Sequence, residues 1–209
     1  MKTYLYTLIA ICAFSLALPV NAQKVDKTII TRTVDAEGFS AISLSAVGDI
    51  YFTQSNTYSV EIEGQAYYVN KLSVGVSNGR LNIKIESNGE KHNNNNIKDV
   101  TIRVSAPTLE KVEIEGVGKF VCEESLETKN FNASIEGVGS VKLADLKCDK
   151  AHLALEGVGS MDVNLDCKGK LIVANEGVGK VKISGYAGSA SISNEGIGSV
   201  NRKNLKVGR

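Results

Sequence analysis

A tetrapeptide returns five times in the second half of the chain, four times as Glu-Gly-Val-Gly and once as Glu-Gly-Ile-Gly. The copies are residues 115–118, 136–139, 156–159, 176–179 and 195–198. A fixed period of about 20 residues is typical of a solenoid, in which each repeat is one coil that buries its apolar side only against its neighbours. The repeat therefore predicts how coils stack, and because it contains no catalytic constellation it says much less about function.

Within each coil the apolar residues alternate with polar ones, which is the period of a strand and not of a helix. The residues of one coil that share the inward parity are Ala151, Leu153, Leu155, Gly157, Gly159, Met161, Val163 and Leu165. Two inward ladders follow when the coils are stacked at the tetrapeptide: Ile114, Ile135, Leu155, Asn175 and Asn194, and Phe120, Val141, Met161, Val181 and Val200. We therefore predict an all-β fold, a parallel β-helix with three short strands and three corners per coil. The paired glycines mark one corner.

The same alternation occurs once before the repeats, over residues 42–52, where Ala46-Val47-Gly48 stands in the place of Gly-Val-Gly. Strand-like segments follow that are separated by other turn residues than Gly-x-Gly. Asn78-Gly79 between two of them is a strong hairpin signal. Residues 87–96 carry four consecutive asparagines and nothing to bury, so we expect a mobile loop there.

The first 22 residues have the pattern of an export signal. Lys2 precedes an almost wholly apolar stretch, and small residues end at Ala22, after which we expect cleavage. No later window reaches 18 apolar residues, so we predict an exported protein without a transmembrane segment, in the periplasm, at the cell surface or secreted. The predicted division is a signal peptide (1–22) and one β-helix domain (23–209), made of a first coil with a hairpin section (23–107), regular coils (108–200) and a C-terminal cap (201–209).

Loss of the signal peptide removes one lysine, which leaves 23 basic residues against 23 acidic ones. With no net charge, the chain has no field that favours nucleic acid or an anionic membrane. We therefore exclude nucleic acid as a partner.

The order of these pieces resembles the head GIN domain family of auto-transporter adhesins, known mostly from Bacteroidetes. The matching features are the first coil at 39–52, the segment 60–63, the hairpin at 72–85, the strand and proline at 100–107, and the serial Gly-x-Gly coils. The resemblance covers about residues 28–200. It implies a single-stranded right-handed β-helix in an exported protein, with adhesion as the family's named role.

The five glutamates of the tetrapeptides form the clearest candidate for chemistry. Stacked about 5 Å apart, they repel each other by roughly 0.8 kcal/mol per neighbouring pair in water. If a Ca²⁺-like ion binds, our candidate ligands are Glu136, Glu156 and Asp162, since hard cations need several converging oxygens. The simpler interpretation, which we favour, is a solvated ladder with no metal.

The tetrapeptide valines have the outward parity, and two interpretations follow. If the corner keeps the parity, they form an exposed apolar stripe of the kind that marks a partner surface. If the glycine corner turns the chain, they point inward or are partly covered, which is the outcome that we expect.

Three cysteines remain after the signal peptide, and an odd count leaves at least one free or intermolecular thiol. Cys148 and Cys167 occupy similar places in adjacent coils, so a disulfide between them and a pair of buried thiols are equally open alternatives. Cys122 shares the parity of Phe120 and is expected in the core.

No enzyme signature is present. His92 and His152 have no nucleophile or carboxylate at a catalytic spacing, so we expect both to be exposed and inert. The Gly-x-Gly repeats lack the third glycine and the strand-to-helix context of a dinucleotide loop, and we predict no cofactor.

Sugar binding requires exposed aromatic rings, and the tyrosines after the signal peptide concentrate in the N-terminal half. If a glycan or peptide docks, Tyr51, Tyr67 and Tyr68 are the candidates. We predict a non-enzymatic adhesion or scaffold module of the cell envelope that binds an envelope or host-surface protein or glycan through its faces. The alternative is a carbohydrate-binding or carbohydrate-processing β-helix. Association between copies of the chain is a further expectation.

Overall fold

The computed structural model describes residues 28–86 and 100–208 of the chain. The expected signal peptide, the asparagine-rich loop and His92 lie outside the described residues. Within them, thirteen strands pair into one continuous sheet and the only helix is a single short turn. The strands stack as coils of about 20 residues into a solenoid of about five turns, which confirms the predicted fold class.

The regular part of the solenoid is built from five long strands. They are β9 (Val117–Ile135), β10 (Val138–Leu155), β11 (Val158–Asn175), β12 (Val178–Asn194) and β13 (Ile197–Val207). Each lies parallel to the next, and the register places residues of equal position in the repeat beside one another. The stacking of both predicted ladders is confirmed: Ile135, Leu155 and Asn175 are successive partners, as are Val141, Met161 and Val181. The inward position predicted for Asn194 is wrong, because the pairing of β12 with β13 ends at Ala187 and leaves Asn194 exposed.

The glycine corner is the one place where the strands of the regular coils are interrupted. A Cβ on Gly157 would lie 2.1 Å from the carbonyl oxygen of Gly137, so only a residue without a side chain fits the spacing between coils. The expectation of three short strands per coil is wrong in detail. Each regular coil is instead one long strand. In β10, the register with β11 shifts at two places inside the strand, between Leu143 and Leu146 and between Cys148 and Ala151.

The N-terminal section adds a first coil and closes that end of the solenoid. Its elements are β1 (Ile29–Val34), β2 (Ala41–Ser45), β3 (Asp49–Gln54), β4 (Ser59–Gln65), α1 (Ala66–Val69), β5 (Leu72–Ser77), β6 (Arg80–Ile85), β7 (Thr101–Ala106) and β8 (Lys111–Ile114). Strands β2 and β3 form the first coil and pair in parallel with β8 and β9. Beyond them, β6 with β5 and β7 with β4 and β1 extend the sheet, with antiparallel pairs at the outside.

The predicted hairpin lies between β5 and β6. Asn78 and Gly79 have φ angles of 52° and 71°, the left-handed conformation that a two-residue hairpin turn requires. A single hydrophobic core then runs from this section into the coils, and Phe39, Phe120 and Phe131 are its largest buried side chains. Cys122 is buried in it, as expected.

Candidate functional site

The side chains at the third position of the tetrapeptide form an exposed apolar line across the coils. We call Val117, Val138, Val158, Val178 and Ile197 the valine ridge. The four valines are 45–50% exposed and Ile197 is 76% exposed. Each is the register partner of the next. The expectation that the corner turns these residues inward or covers them is therefore wrong, and the exposed-stripe alternative is the one observed.

The backbone of the corner is closely packed around the ridge. The residues on each side of the valine are glycines, and they lie against the carbonyl groups of the coil before. The valine N–H groups are already used, since Val138 donates to the oxygen of Gly116 and Val158 to that of Gly137, both across 2.9 Å. Side-chain contacts are therefore what the ridge offers a partner.

A column of carboxylates runs beside the ridge on one side. All five tetrapeptide glutamates are exposed, and Glu115 accepts hydrogen bonds from Ser43 at 3.2 Å and Ser45 at 2.7 Å. On the other side of the ridge, the corresponding positions are Lys119, Ser140, Ser160, Lys180 and Ser199. The ridge is thus an apolar strip with an acidic border and a polar border.

Of the three candidate cation ligands, Glu136 and Glu156 border one groove, and Asp162 is engaged by a lysine. Asp162 lies past the corner from Glu156 and forms an ion pair with Lys182 at 3.0 Å. Among the described residues, no group of three or more histidine, cysteine, aspartate or glutamate side chains could hold a metal ion. The sequence already indicated the ion pair of Asp162 with Lys182, because the two residues are one repeat of 20 residues apart. The register confirms that Asp162 is the partner of Lys142 on one side and of Lys182 on the other.

The N-terminal end of the ridge meets the helical turn α1. Val47 forms a parallel bridge with Val117, and its N–H donates to the hydroxyl of Tyr68 across 2.7 Å. The side chains of Val47, Tyr68, Ile85 and Val117 line a mainly apolar depression of about 350 Å³. The contact of Tyr68 with Val47 was not predicted from the sequence, because the two residues are 21 positions apart and no repeat relates them.

The three candidate tyrosines have different environments. Tyr68 is 2% exposed, and burial raises its pKa, so its predicted role as an exposed docking ring is wrong. Tyr67, its neighbour on α1, is 39% exposed and lies under the ammonium of Lys71, 4.3 Å from the ring centroid. Tyr51 is 38% exposed on β3, a different element.

Tyr51 lies in a groove on the outer face of the sheet formed by β3, β7 and β4. This groove, which we call the Tyr51 groove, has a volume of about 440 Å³ and is lined by Tyr51, Thr53, Ser59, Thr101, Arg103 and Ser105. Lys119 approaches the ring to 5.4 Å from its centroid and pairs with Asp49 at 3.0 Å. Hydrogen bonds with Tyr51 and then Asp49 raise the pKa of Lys119, which keeps it charged.

Cys148 and Cys167 are register partners on β10 and β11, and both are buried. Both thiols are free in the structure, and the thiol of Cys167 donates to the carbonyl oxygen of Asp149 at 3.5 Å. Neighbouring strands are about 4.8 Å apart, which lies within the Cα separation that a disulfide spans. The disulfide stays a prediction.

His152 is exposed, and it lines a groove of about 370 Å³ that Glu136 and Glu156 also border. No pattern in the sequence indicates that these three residues lie together. Within residues 28–86 and 100–208, His152 has no hydrogen bond or ion pair, so nothing orients its ring as a general base needs. In the same ranges, no helix is long and apolar enough to cross a bilayer.

A family model described as "Putative auto-transporter adhesin, head GIN domain" matches residues 38–209. A putative adhesin from Bacteroides fragilis NCTC 9343 is similar in structure, with 26% identity and a TM-score of 0.59 over 85% of this chain and 98% of that chain. A putative adhesin from Parabacteroides distasonis ATCC 8503 has 19% identity and a TM-score of 0.79 over 88% of this chain and 76% of that chain.

A putative lipid binding protein from the same Parabacteroides distasonis strain has 19% identity and a TM-score of 0.70, over 86% of this chain and 75% of that chain. At 19% identity, the two Parabacteroides structures show a shared fold alone. No curated protein matches the chain.

Proposed function

The chain belongs to the head GIN domain family of auto-transporter adhesins, and we propose that it is an exported, non-enzymatic adhesion or scaffold module that binds through the valine ridge. The observation that carries this proposal is the ridge itself. Four valines and an isoleucine, each about half exposed or more, continue without interruption across successive coils. A contiguous apolar surface with polar borders is typical of an interaction site.

The chemistry of the borders indicates the kind of partner. Glu136, Glu156, Glu176 and Glu195 are exposed beside the ridge and repel one another. Basic side chains of a partner would relieve that repulsion, and an apolar strip between them would cover the valines. We infer a protein partner on the cell envelope or on a host surface that presents an apolar strip next to basic residues.

The environments of the candidate catalytic groups, His152 and the three cysteine thiols, support a non-enzymatic role. His152 lies near two carboxylates without an orienting hydrogen bond, and the three thiols are buried. The pKa values of Cys122 and Cys148 are raised by burial, which is the opposite of the shift that activates a nucleophile.

The experiment uses beads coated with the purified chain and measures their retention on bacterial cells and on cultured host cells. The test variant carries Val138→Ser, Val158→Ser and Val178→Ser, which removes apolar area from the middle of the ridge. The matched control carries Val76→Ser and Ile172→Ser, two exposed apolar residues away from the ridge. We expect at least a fivefold loss of retained beads with the ridge variant and less than a twofold change with the control.

Two outcomes would contradict the proposal. One is retention no higher than that of uncoated beads on either cell type. The other is an equal loss with the ridge variant and the control variant, which would reflect general surface hydrophobicity. Circular dichroism melting of all three proteins checks that each variant is folded.

A further inference from the structure

We propose that the Tyr51 groove is a second binding site, separate from the valine ridge, and that it takes a neutral saccharide. The groove is built on paired strands, which makes its side chains a fixed array. Tyr51 on β3 is the register partner of Arg103 on β7, and Arg103 is the partner of Glu61 on β4. In the next row, Thr53, Ser105 and Ser59 follow one another across the same strands.

The ring of Tyr51 provides the apolar surface of the site. It is 38% exposed, with Arg103 beside it on β7 and Val121 on β9, and the ammonium of Lys119 lies over the ring, 5.4 Å from its centroid. The ion pair with Asp49 holds the ammonium of Lys119 in its position beside the ring. A sugar presents one face of C–H groups, which packs on an aromatic ring, while its hydroxyl groups point outward to polar partners.

Hydroxyl groups border the ring where a sugar's own hydroxyls would lie. Thr53, Ser59, Thr101 and Ser105 line the groove. The Ser105 hydroxyl donates to the carbonyl oxygen of Thr57 across 2.9 Å, so it is left with its lone pairs to accept a hydrogen bond. A row of groups that both donate and accept suits a ligand with many hydroxyl groups.

The charges favour a neutral ligand over an acidic one. One nitrogen of Arg103, Nη1, contacts Glu63 at 2.9 Å and Glu61 at 3.8 Å, and Lys119 is paired with Asp49. Both cations at the groove are therefore compensated by carboxylates, and an anionic ligand would meet three negative groups around two positive ones. The remaining guanidinium nitrogens can still donate to uncharged oxygens.

The size of the groove agrees with a small ligand. About 440 Å³ is within the range of roughly 300–1,000 Å³ that is common for small-molecule sites. The groove is open to solvent along the sheet, so one or two sugar units of a longer chain could lie in it while the rest extends outward.

The test is a panel of neutral oligosaccharides of glucose, galactose and N-acetylglucosamine, with sialylated and uronic acid oligosaccharides beside them, presented on an array. Binding of the best ligand is then measured by titration calorimetry. Tyr51→Ala should weaken binding about tenfold, which corresponds to about 1.4 kcal/mol. Tyr51→Phe keeps the ring and should change the affinity less than threefold. Thr53→Val keeps the shape, removes one hydroxyl and should weaken binding several-fold.

Tyr67→Ala is the matched control, because Tyr67 is equally exposed and lies on another element. It should leave saccharide affinity unchanged, and so should the ridge variant described above. The proposal is overturned if no neutral oligosaccharide binds, if acidic oligosaccharides bind better, or if Tyr67→Ala weakens binding as much as Tyr51→Ala. Loss of saccharide binding in the ridge variant would also overturn it, since the two sites would not be separate.

Discussion

The hydroxyl of Tyr68 accepts a hydrogen bond from the backbone N–H of Val47 across 2.7 Å. In the regular coils, the valine N–H at this position donates to a glycine carbonyl of the coil before, as Val138 does to Gly116. The first coil has no coil before it at this corner, so the side chain of Tyr68 takes the place of the missing carbonyl.

Tyr68→Phe should therefore lower the free energy of unfolding by about 1–3 kcal/mol, because it leaves the Val47 N–H without its partner. Urea unfolding followed by circular dichroism measures the change. Tyr67→Phe is the control, and we expect it to stay within about 0.5 kcal/mol of the native chain, since Tyr67 is exposed. Equal effects of the two changes would contradict the capping role of Tyr68.

Gly157→Ala should destabilise the solenoid near the upper end of the about 1–3 kcal/mol range for overpacking. The new Cβ would lie 2.1 Å from the carbonyl oxygen of Gly137, and backbone cannot move aside there without opening the coils. Gly75→Ala is the comparison, because a Cβ on Gly75 meets nothing within 4 Å. Thermal melting should separate the two variants clearly, and similar melting temperatures would argue against close packing at the corner.

Cys148 and Cys167 should form a disulfide when the folded chain is incubated with oxidised glutathione at pH 8.5. The two thiols lose two electrons and two protons, and glutathione disulfide is reduced to two thiols. Trypsin then releases residues 148–150 joined to residues 151–168, and mass spectrometry should find this pair two hydrogen atoms lighter than its separate parts. A cross-link through Cys122, or three thiols that all remain free, would count against the prediction.

The buried thiol of Cys122 should make the protein less stable at alkaline pH. Burial raises its pKa from the ordinary value of 9.0 to about 11. Its contribution is therefore complete below pH 9 and is lost as the pH rises towards 11, because the unfolded chain releases the proton first. The loss amounts to at most about 2.7 kcal/mol.

Urea unfolding at pH 8, 9, 10 and 11 measures this dependence. Cys122→Ala should show a smaller decrease of the unfolding free energy over that range, whatever its stability at pH 8. Identical slopes for the two proteins would show that Cys122 does not contribute.

The interior of the coils was predictable from the sequence because alternation and a fixed period together determine which residues stack. Leu155 and Met161 lie in the ladders that their parity assigns to them. The direction of the Val158 side chain was harder to predict from the sequence. Its parity indicates that it points outward, whereas a turn at the glycine corner could have reversed that direction. In the structure the alternation continues through the glycine corner, and Val158 is 49% exposed.

Contacts between distant segments could not be read from the sequence. Tyr67 and Tyr68 are adjacent and alike, yet one is exposed and the other buried, because a helical turn directs neighbouring residues to different sides. The pair of Lys119 with Asp49 joins residues 70 positions apart, and only the register of β9 on β3 brings them together.

The most direct measurement of the binding surface is hydroxyl-radical footprinting of the chain, free in solution and bound to cells that retain it. Mass spectrometry then reports which side chains become protected. We expect protection at Val138, Val158 and Val178, with Val76 and Ile172 oxidised equally in both states. Protection at Val76 and Ile172, with the ridge valines oxidised as in the free chain, would contradict the proposal that the valine ridge is the surface through which this protein adheres.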